Sequence, residues 1–164
     1  MVNLKNALII RSASFQQLDK NFPAIEEALP DHRFQMLTHE HGVKLAEKYK
    51  LLSKIYVYPY KQSFSFWRPV QEFKDQKFDC VIVPVSNLTG AGFLNVLLFS
   101  LTINAKKRYI CNLISDLRPV SMVSIIGMGA RSLLISAISV LVTVLLAVPL
   151  TIGLPMMLRR LKKK

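Results

Sequence analysis

The sequence predicts an α/β fold: a Rossmann-like parallel sheet of about five strands with flanking helices, plus a C-terminal membrane helix. Three observations predict it. Short apolar runs recur through the first 113 residues, each four to seven positions long. Stretches with apolar residues at steps of three and four separate them, so the order is β-α-β-α, which demands parallel strands and right-handed crossovers. Finally, residues 132–158 (SLLISAISVLVTVLLAVPLTIGLPMML) hold 27 positions without one charge.

Residues 6–11 (NALIIR) are an apolar run with a polar end, the pattern of a buried parallel strand. After a Ser-Ala-Ser loop, Phe15, Leu18, Phe22, Ile25 and Leu29 fall at helical steps. Pro23 either begins a helix there or kinks a longer one, and Pro30 with Asp31 ends it. Residues 33–37 are a second strand and residues 42–52 a second helix, with Leu45, Tyr49 and Leu52 on one side. Residues 54–58 (KIYVY) alternate and are rich in strand formers. Residues 66–74 space Trp67, Val70 and Phe73 as a short helix would. Residues 78–85 (FDCVIVPV) are the most apolar strand and the expected centre of the sheet, with Pro84 near its end. A turn at 86–92, a helix at 93–102 and a strand at 107–113 complete the domain.

The predicted organisation is an α/β domain at 1–114, a linker and interfacial segment at 115–131, a membrane segment at 132–158 and a basic tail at 159–164. Residues 120–130 are apolar but hold Gly127 and Gly129, which suits a segment lying in a membrane interface. A straight helix of 27 residues spans about 40 Å, beyond the bilayer core of about 30 Å. Pro149, Gly153 and Pro155 make it a poor uniform helix, so a single span stands beside a re-entrant turn at Pro149. The formal charge is +12. All ten acids lie in residues 1–120, whereas residues 121–164 carry six cations and no acid. Arg131, Arg159, Arg160, Lys162, Lys163 and Lys164 flank the apolar run, where anionic lipid headgroups would meet them. The other cations are dispersed, so membrane lipids and not nucleic acid are the expected partner. Cys80 and Cys111 form no CxxC pair and read as buried thiols in a reducing compartment. The N-terminus enters NALII directly, and no cleaved leader is expected.

Ligands of open parallel sheets bind outside the carboxyl ends of the strands. Three loops qualify. Residues 11–17 (RSASFQQ) offer Arg11, Ser12, Ser14 and Gln17 to an anion or a hydroxyl-rich ligand. Residues 38–42 (THEHG) hold His39 and His41 around Glu40, two positions apart on different sides of the chain; no third ligand accompanies them and no metal is expected. Residues 86–92 (SNLTGAG) place Ser86, Asn87, Thr89, Gly90 and Gly92 between the most apolar strand and a helix, equally a binding loop or a plain turn. No GxGxxG, Gly-Lys-Ser/Thr or Gly-x-Ser-x-Gly motif is present, so no nucleotide cofactor is expected.

NALIIRSASF, FPAIEEALPDHRFQMLT, SKIYVYPY and FKDQKFDCVIVPVSN, in that order, resemble the N-terminal, acceptor-side half of the ADP-heptose:lipopolysaccharide heptosyltransferases, which are GT-B glycosyltransferases. The likeness covers about residues 5–113. In that family a Gly-Asp pair follows the first strand, and its Asp is the proposed base; the matching positions here are Gln16 and Gln17. An amide cannot accept a hydroxyl proton as a carboxylate does. Asp19 is the nearest substitute, roughly 200° around a helix from Gln17. Where the family's donor-binding half would begin, this chain continues into its apolar segment.

The resemblance implies a membrane-anchored, glycosyltransferase-like protein of cell-envelope polysaccharide or lipid-linked glycan biosynthesis. It would sit in a bacterial inner membrane with its α/β domain cytoplasmic. It would bind a glycan, a glycolipid or a partner glycosyltransferase and would not catalyse alone. Two other readings remain open: a glycosyltransferase subunit whose donor domain is another chain, and a non-enzymatic scaffold with an empty α/β domain.

Overall fold

The computed structural model describes residues 4–90 and 92–161. The chain divides into two units, Met1–Ile126 and Gly127–Lys164.

The first unit is built on one sheet of six strands in the order β3-β2-β1-β4-β5-β6. β1 (Lys5–Ile10), β2 (His32–Thr38), β3 (Leu52–Val57), β4 (Phe78–Pro84) and β5 (Ala105–Cys111) are parallel. β1 and β4 are neighbours at the centre, with Ala7 opposite Cys80 and Ile9 opposite Ile82. Their position explains their composition. Residues covered on both faces need no polar alternation, and Ala7 to Ile10 and Cys80 to Pro84 are all buried. The outer β3 does alternate, burying Tyr56 and exposing Val57. A register irregularity separates Phe34 and Gln35 where β2 pairs with it.

The sixth strand corrects the expected count. β6 (Leu117–Pro119) runs antiparallel to β5, pairing Leu117 with Cys111 and Pro119 with Tyr109. It lies within residues expected as linker. Proline without a donor is tolerated there because β6 is an edge.

One face of the sheet is covered by α1 (Phe15–Ala28), whose Leu18, Phe22 and Ile25 pack on Ala7, Ile9, Phe34, Met36, Cys80 and Ile82. Pro23 lies inside that helix and does not begin it. The helix stops before Pro30 because the preceding residue, Leu29, is pushed out of helical geometry, at φ −133° and ψ 55°. Residues 42–52 do not form the helix expected. A 3-10 turn (Glu40–Gly42) leads into the single turn of α2 (Val43–Ala46), and β3 already begins at Leu52.

The other face is covered by α3 (Leu94–Ser100) and by the chain between β3 and β4. That chain is not the helix expected at 66–74. Only a 3-10 turn forms (Gln71–Phe73), because Pro69 holds Arg68 away from helical geometry. Val70 and Phe73 are buried while Trp67 is not. Aromatic edges fasten this layer: Tyr56 on Phe73 at 4.8 Å, Phe73 on Phe78 at 5.5 Å, and Tyr58 and Phe64 on Phe99 at 5.5 and 5.3 Å.

α4 (Met122–Leu161) is one unbroken helix of 40 residues. It begins where the interfacial segment was expected, takes in Gly127 and Gly129, and continues through Pro149 without a re-entrant turn. Within it, Met122–Ala147 are 26 residues long and apolar enough to cross a membrane. That length is about 39 Å of helix against a bilayer core of about 30 Å. Arg131 belongs to this stretch and is exposed, Arg159 and Arg160 belong to the helix's last turns, and Lys162 to Lys164 lie outside the described residues.

Candidate functional site

Crossovers leave β1 toward β2 on one side and β4 toward β5 on the other. The loops after β1 and β4 therefore part company at the carboxyl edge between these two strands, the crevice where open α/β sheets take their ligands. Two of the three loops singled out in the sequence, 11–17 and 86–92, flank this point.

Each side chain there has a definite occupation. Ser12 Oγ donates to the Pro84 carbonyl, tying the end of β1 to the end of β4. Ser14 Oγ accepts from the Gln17 N–H at 3.3 Å and is the N-cap of α1, so its oxygen is spent on the helix. Gln17 is buried; its Nε2 donates to the Leu113 carbonyl at 3.0 Å and lies 2.7 Å from the Asn21 side-chain amide. Asn87 Oδ1 accepts from the N–H of Thr89 at 3.2 Å and of Gly90 at 2.6 Å, a turn closed by its own side chain. Gly90 has φ +78° and Gly92 φ +85°, so this loop needs glycine at both. The Leu113 N–H donates to the Asn87 carbonyl at 3.1 Å, joining the loops after β4 and β5. Ser86 is exposed beside them.

Arg11 is turned away from this crevice. Its Nε donates to Thr38 Oγ1 at 2.8 Å, its Nη2 lies 3.2 Å from His41 Nε2, and its guanidinium sits 5.1 Å from the Phe15 ring centre. Partial burial draws its pKa below the ordinary value. Arginine has only donors, so His41 Nε2 is the acceptor. His39 takes the opposite role, donating from Nε2 to the Gln62 carbonyl at 3.0 Å while its ring stacks 5.6 Å from that of His41. The two histidines hold loops in place. With Glu40, Tyr58, Tyr60 and Lys61 they line a cavity of about 360 Å³ at the same carboxyl edge.

Asp19 is engaged on the other side of α1. Its Oδ1 accepts from the Tyr49 hydroxyl at 2.5 Å, and burial together with that carboxylate raises the tyrosine's pKa. Gln17 meets the loop after β5, whereas Asp19 meets the segment after α2. The structure does not bring Asp19 to the crevice between β1 and β4.

Three further residues shape this edge: Thr38, which opens the 38–42 loop named above, and Asn21 and Asn112, which the sequence did not single out. Thr38 anchors Arg11. Asn21 is fully buried in α1. Asn112, also fully buried, accepts at Oδ1 from the N–H of Ile114 at 3.1 Å and of Asp116 at 2.9 Å. It holds the turn in which Ser115 takes φ +63°, a left-handed conformation rare outside glycine. Asn112 Nδ2 is buried without a partner among the described residues, an unspent donor at this edge. For Asn21 the sequence signal was there, since it interrupts the apolar face of α1; Asn112 fell inside the strand expected at 107–113, which ends at Cys111.

A second cavity of about 360 Å³ opens at the opposite edge, where the strands begin, lined by Lys5, Asp31, His32, Asp79 and Lys106 among others. His32 is the first residue of β2, and its buried Nδ1 has no partner among the described residues. Desolvation, with Lys5 nearby, lowers its pKa. Lys106 and the Asn6 N–H hold Asp79 below the usual carboxylate range.

Chemically, the side chains described at the crevice between β1 and β4 are neutral amides and hydroxyls engaged in hydrogen bonds within the fold. Ser12, Gln17, Asn87 and Asn112 donate and accept hydrogen bonds, which suits a hydroxyl-rich ligand, and none is a base of carboxylate strength. Comparison with protein-family models, with curated proteins and with solved structures gives no match.

Proposed function

We propose that this chain is a membrane-anchored, glycosyltransferase-like protein of cell-envelope polysaccharide or lipid-linked glycan assembly. It binds a glycan, a glycolipid or a partner glycosyltransferase and does not transfer sugar alone. The observation that carries this reading is the carboxyl edge between β1 and β4. There a buried glutamine, Gln17, stands where the resembled family has its acid, and Ser12, Asn87 and Asn112 beside it are neutral. Amides and hydroxyls of this kind pair with sugar hydroxyls, and none of these four takes a proton from an attacking one as a carboxylate does. The apolar helix that follows the α/β unit supports the membrane part, and the reading places the α/β unit on the cytoplasmic side of a bacterial inner membrane.

The test is a transfer assay on the purified full chain in detergent, offered nucleotide-sugar donors and membrane glycolipid acceptors. The expected result is glycolipid binding without turnover. Transfer by the chain alone would overturn the non-catalytic part. The alternative of a subunit completed by another chain predicts activity only after a donor-binding partner is added.

A further inference from the structure

The segment between β3 and β4 carries a feature that neither the core nor the crevice uses. Trp67 is 85 % exposed, the most exposed aromatic among the described residues. Phe66, also exposed, stands edge-on to it at 5.4 Å. Tyr60 is exposed as well, with the Arg68 guanidinium 5.8 Å from its ring centre. Lys61 is exposed beside them, and residues 58–70 contain no acid.

This tip is held from beneath. Phe64 is buried against Tyr58 at 4.7 Å and against Phe99. The Tyr58 hydroxyl donates to the Arg68 carbonyl at 3.2 Å, and the Arg68 N–H donates to the Ser65 carbonyl at 3.0 Å. His39 fastens the Gln62 carbonyl. Pro59 and Pro69 restrict either end. A scaffold built in this way keeps a tryptophan and a phenylalanine in solvent, and exposed apolar groups rimmed by polar ones mark an interaction surface.

The charge says which surface. An amphipathic ring beside cations, on a segment that carries no acid of its own, is the composition of a membrane interface, where indole sits at headgroup level and Lys or Arg meets lipid phosphate. The same chain carries a helix long and apolar enough to cross a bilayer. We infer that residues 60–68 form a second membrane contact: Phe66 and Trp67 enter the headgroup layer of an anionic bilayer while Lys61 and Arg68 pair with its phosphates. The inference rests on the membrane part of the proposed function and is independent of the glycan part.

Trp67 is the only tryptophan in the chain, so its fluorescence reports this tip alone. The full chain is reconstituted into vesicles of mixed phosphatidylcholine and phosphatidylglycerol, and separately into phosphatidylcholine alone. On the anionic vesicles the expected emission is blue-shifted, protected from aqueous acrylamide, and quenched by lipids brominated near the glycerol. Joint Lys61→Gln and Arg68→Gln substitution lowers the docked-to-undocked ratio about 25-fold on anionic vesicles and leaves it nearly unchanged on neutral ones. A vesicle-bound chain whose Trp67 is open to acrylamide and untouched by bromolipid overturns the docking and leaves the anchor standing. A Trp67 shielded from both quenchers points to a protein occupant and also overturns it. A chain that does not float with either vesicle overturns docking and anchor together.

Discussion

A methyl group added at Gly42 would run into Thr38 Oγ1 and come within 3.2 Å of Arg11 Nε. The backbone there is ordinary, at φ −93°, so the constraint is space alone. Gly42→Ala is therefore expected to destabilise the first unit by about 1–3 kcal/mol, as overpacking does, read from urea unfolding. The thiols give a second test at this scale. Cys80 pairs with Lys107 and Cys111 with Pro84, four positions apart along β4 and β5, roughly 13 Å, too far for a disulfide. Burial pushes Cys80 up to about 12 and Cys111 up to about 11. Both thiols keep their protons in the folded chain at pH 9, where the unfolded chain begins to lose them. Stability should thus fall as pH rises above about 9, and native alkylation at pH 8 should be slow until denaturant is added. The sequence named Arg11, Ser12, Ser14 and Gln17 because they follow a strand. It did not show that Arg11 is spent on Thr38, 27 positions away, or Ser14 on its own helix. The Arg11 partner is too distant to leave a trace in local spacing, whereas the Ser14 bond is local, matching the S-x-x-Q pattern of a helix start.

Among the elements, α1 is the one whose boundaries rest on identifiable residues. Ser14 caps it and Pro30 stops it, while Pro23 removes one internal hydrogen bond from its middle. Ser14→Ala should cost about 0.5–2 kcal/mol in thermal or urea unfolding, since the Gln17 N–H loses its acceptor. A loss well outside that range would mean Ser14 does more than cap. The five parallel strands were legible because apolar runs are a local signal. The helix expected at 66–74 was not there because Trp67, Val70 and Phe73 also suit an extended chain laid across a sheet, and Pro69 decides between the two. β6 escaped notice because three residues, one of them proline, carry no period.

At the scale of the whole chain, the order of the strands places the crevice between β1 and β4. No pattern along the sequence shows that order, because it depends on which way each crossover turns. The length of α4 bears on topology. Cysteine introduced at Val120 and at Lys164 should be labelled from opposite sides of sealed vesicles if α4 spans, with Cys80 and Cys111 silent because they are buried. Labelling of both from one side would mean the helix lies on the surface.

The irregular register where β2 meets β3 bears on how copies of this protein keep apart. β3 ends the sheet with a row of backbone groups that no strand covers among the described residues, and such a row invites another chain to zip onto it. If α4 spans a bilayer as proposed, copies would meet one another in two dimensions, at high local concentration and with few orientations to sample. Lys54, in the middle of β3, is paired with Glu72 at 3.0 Å and lies 4.2 Å from the Tyr56 ring centre. A neighbour's strand would have to displace that charge and match a broken register. β3 thus carries its own protection against edge-to-edge aggregation.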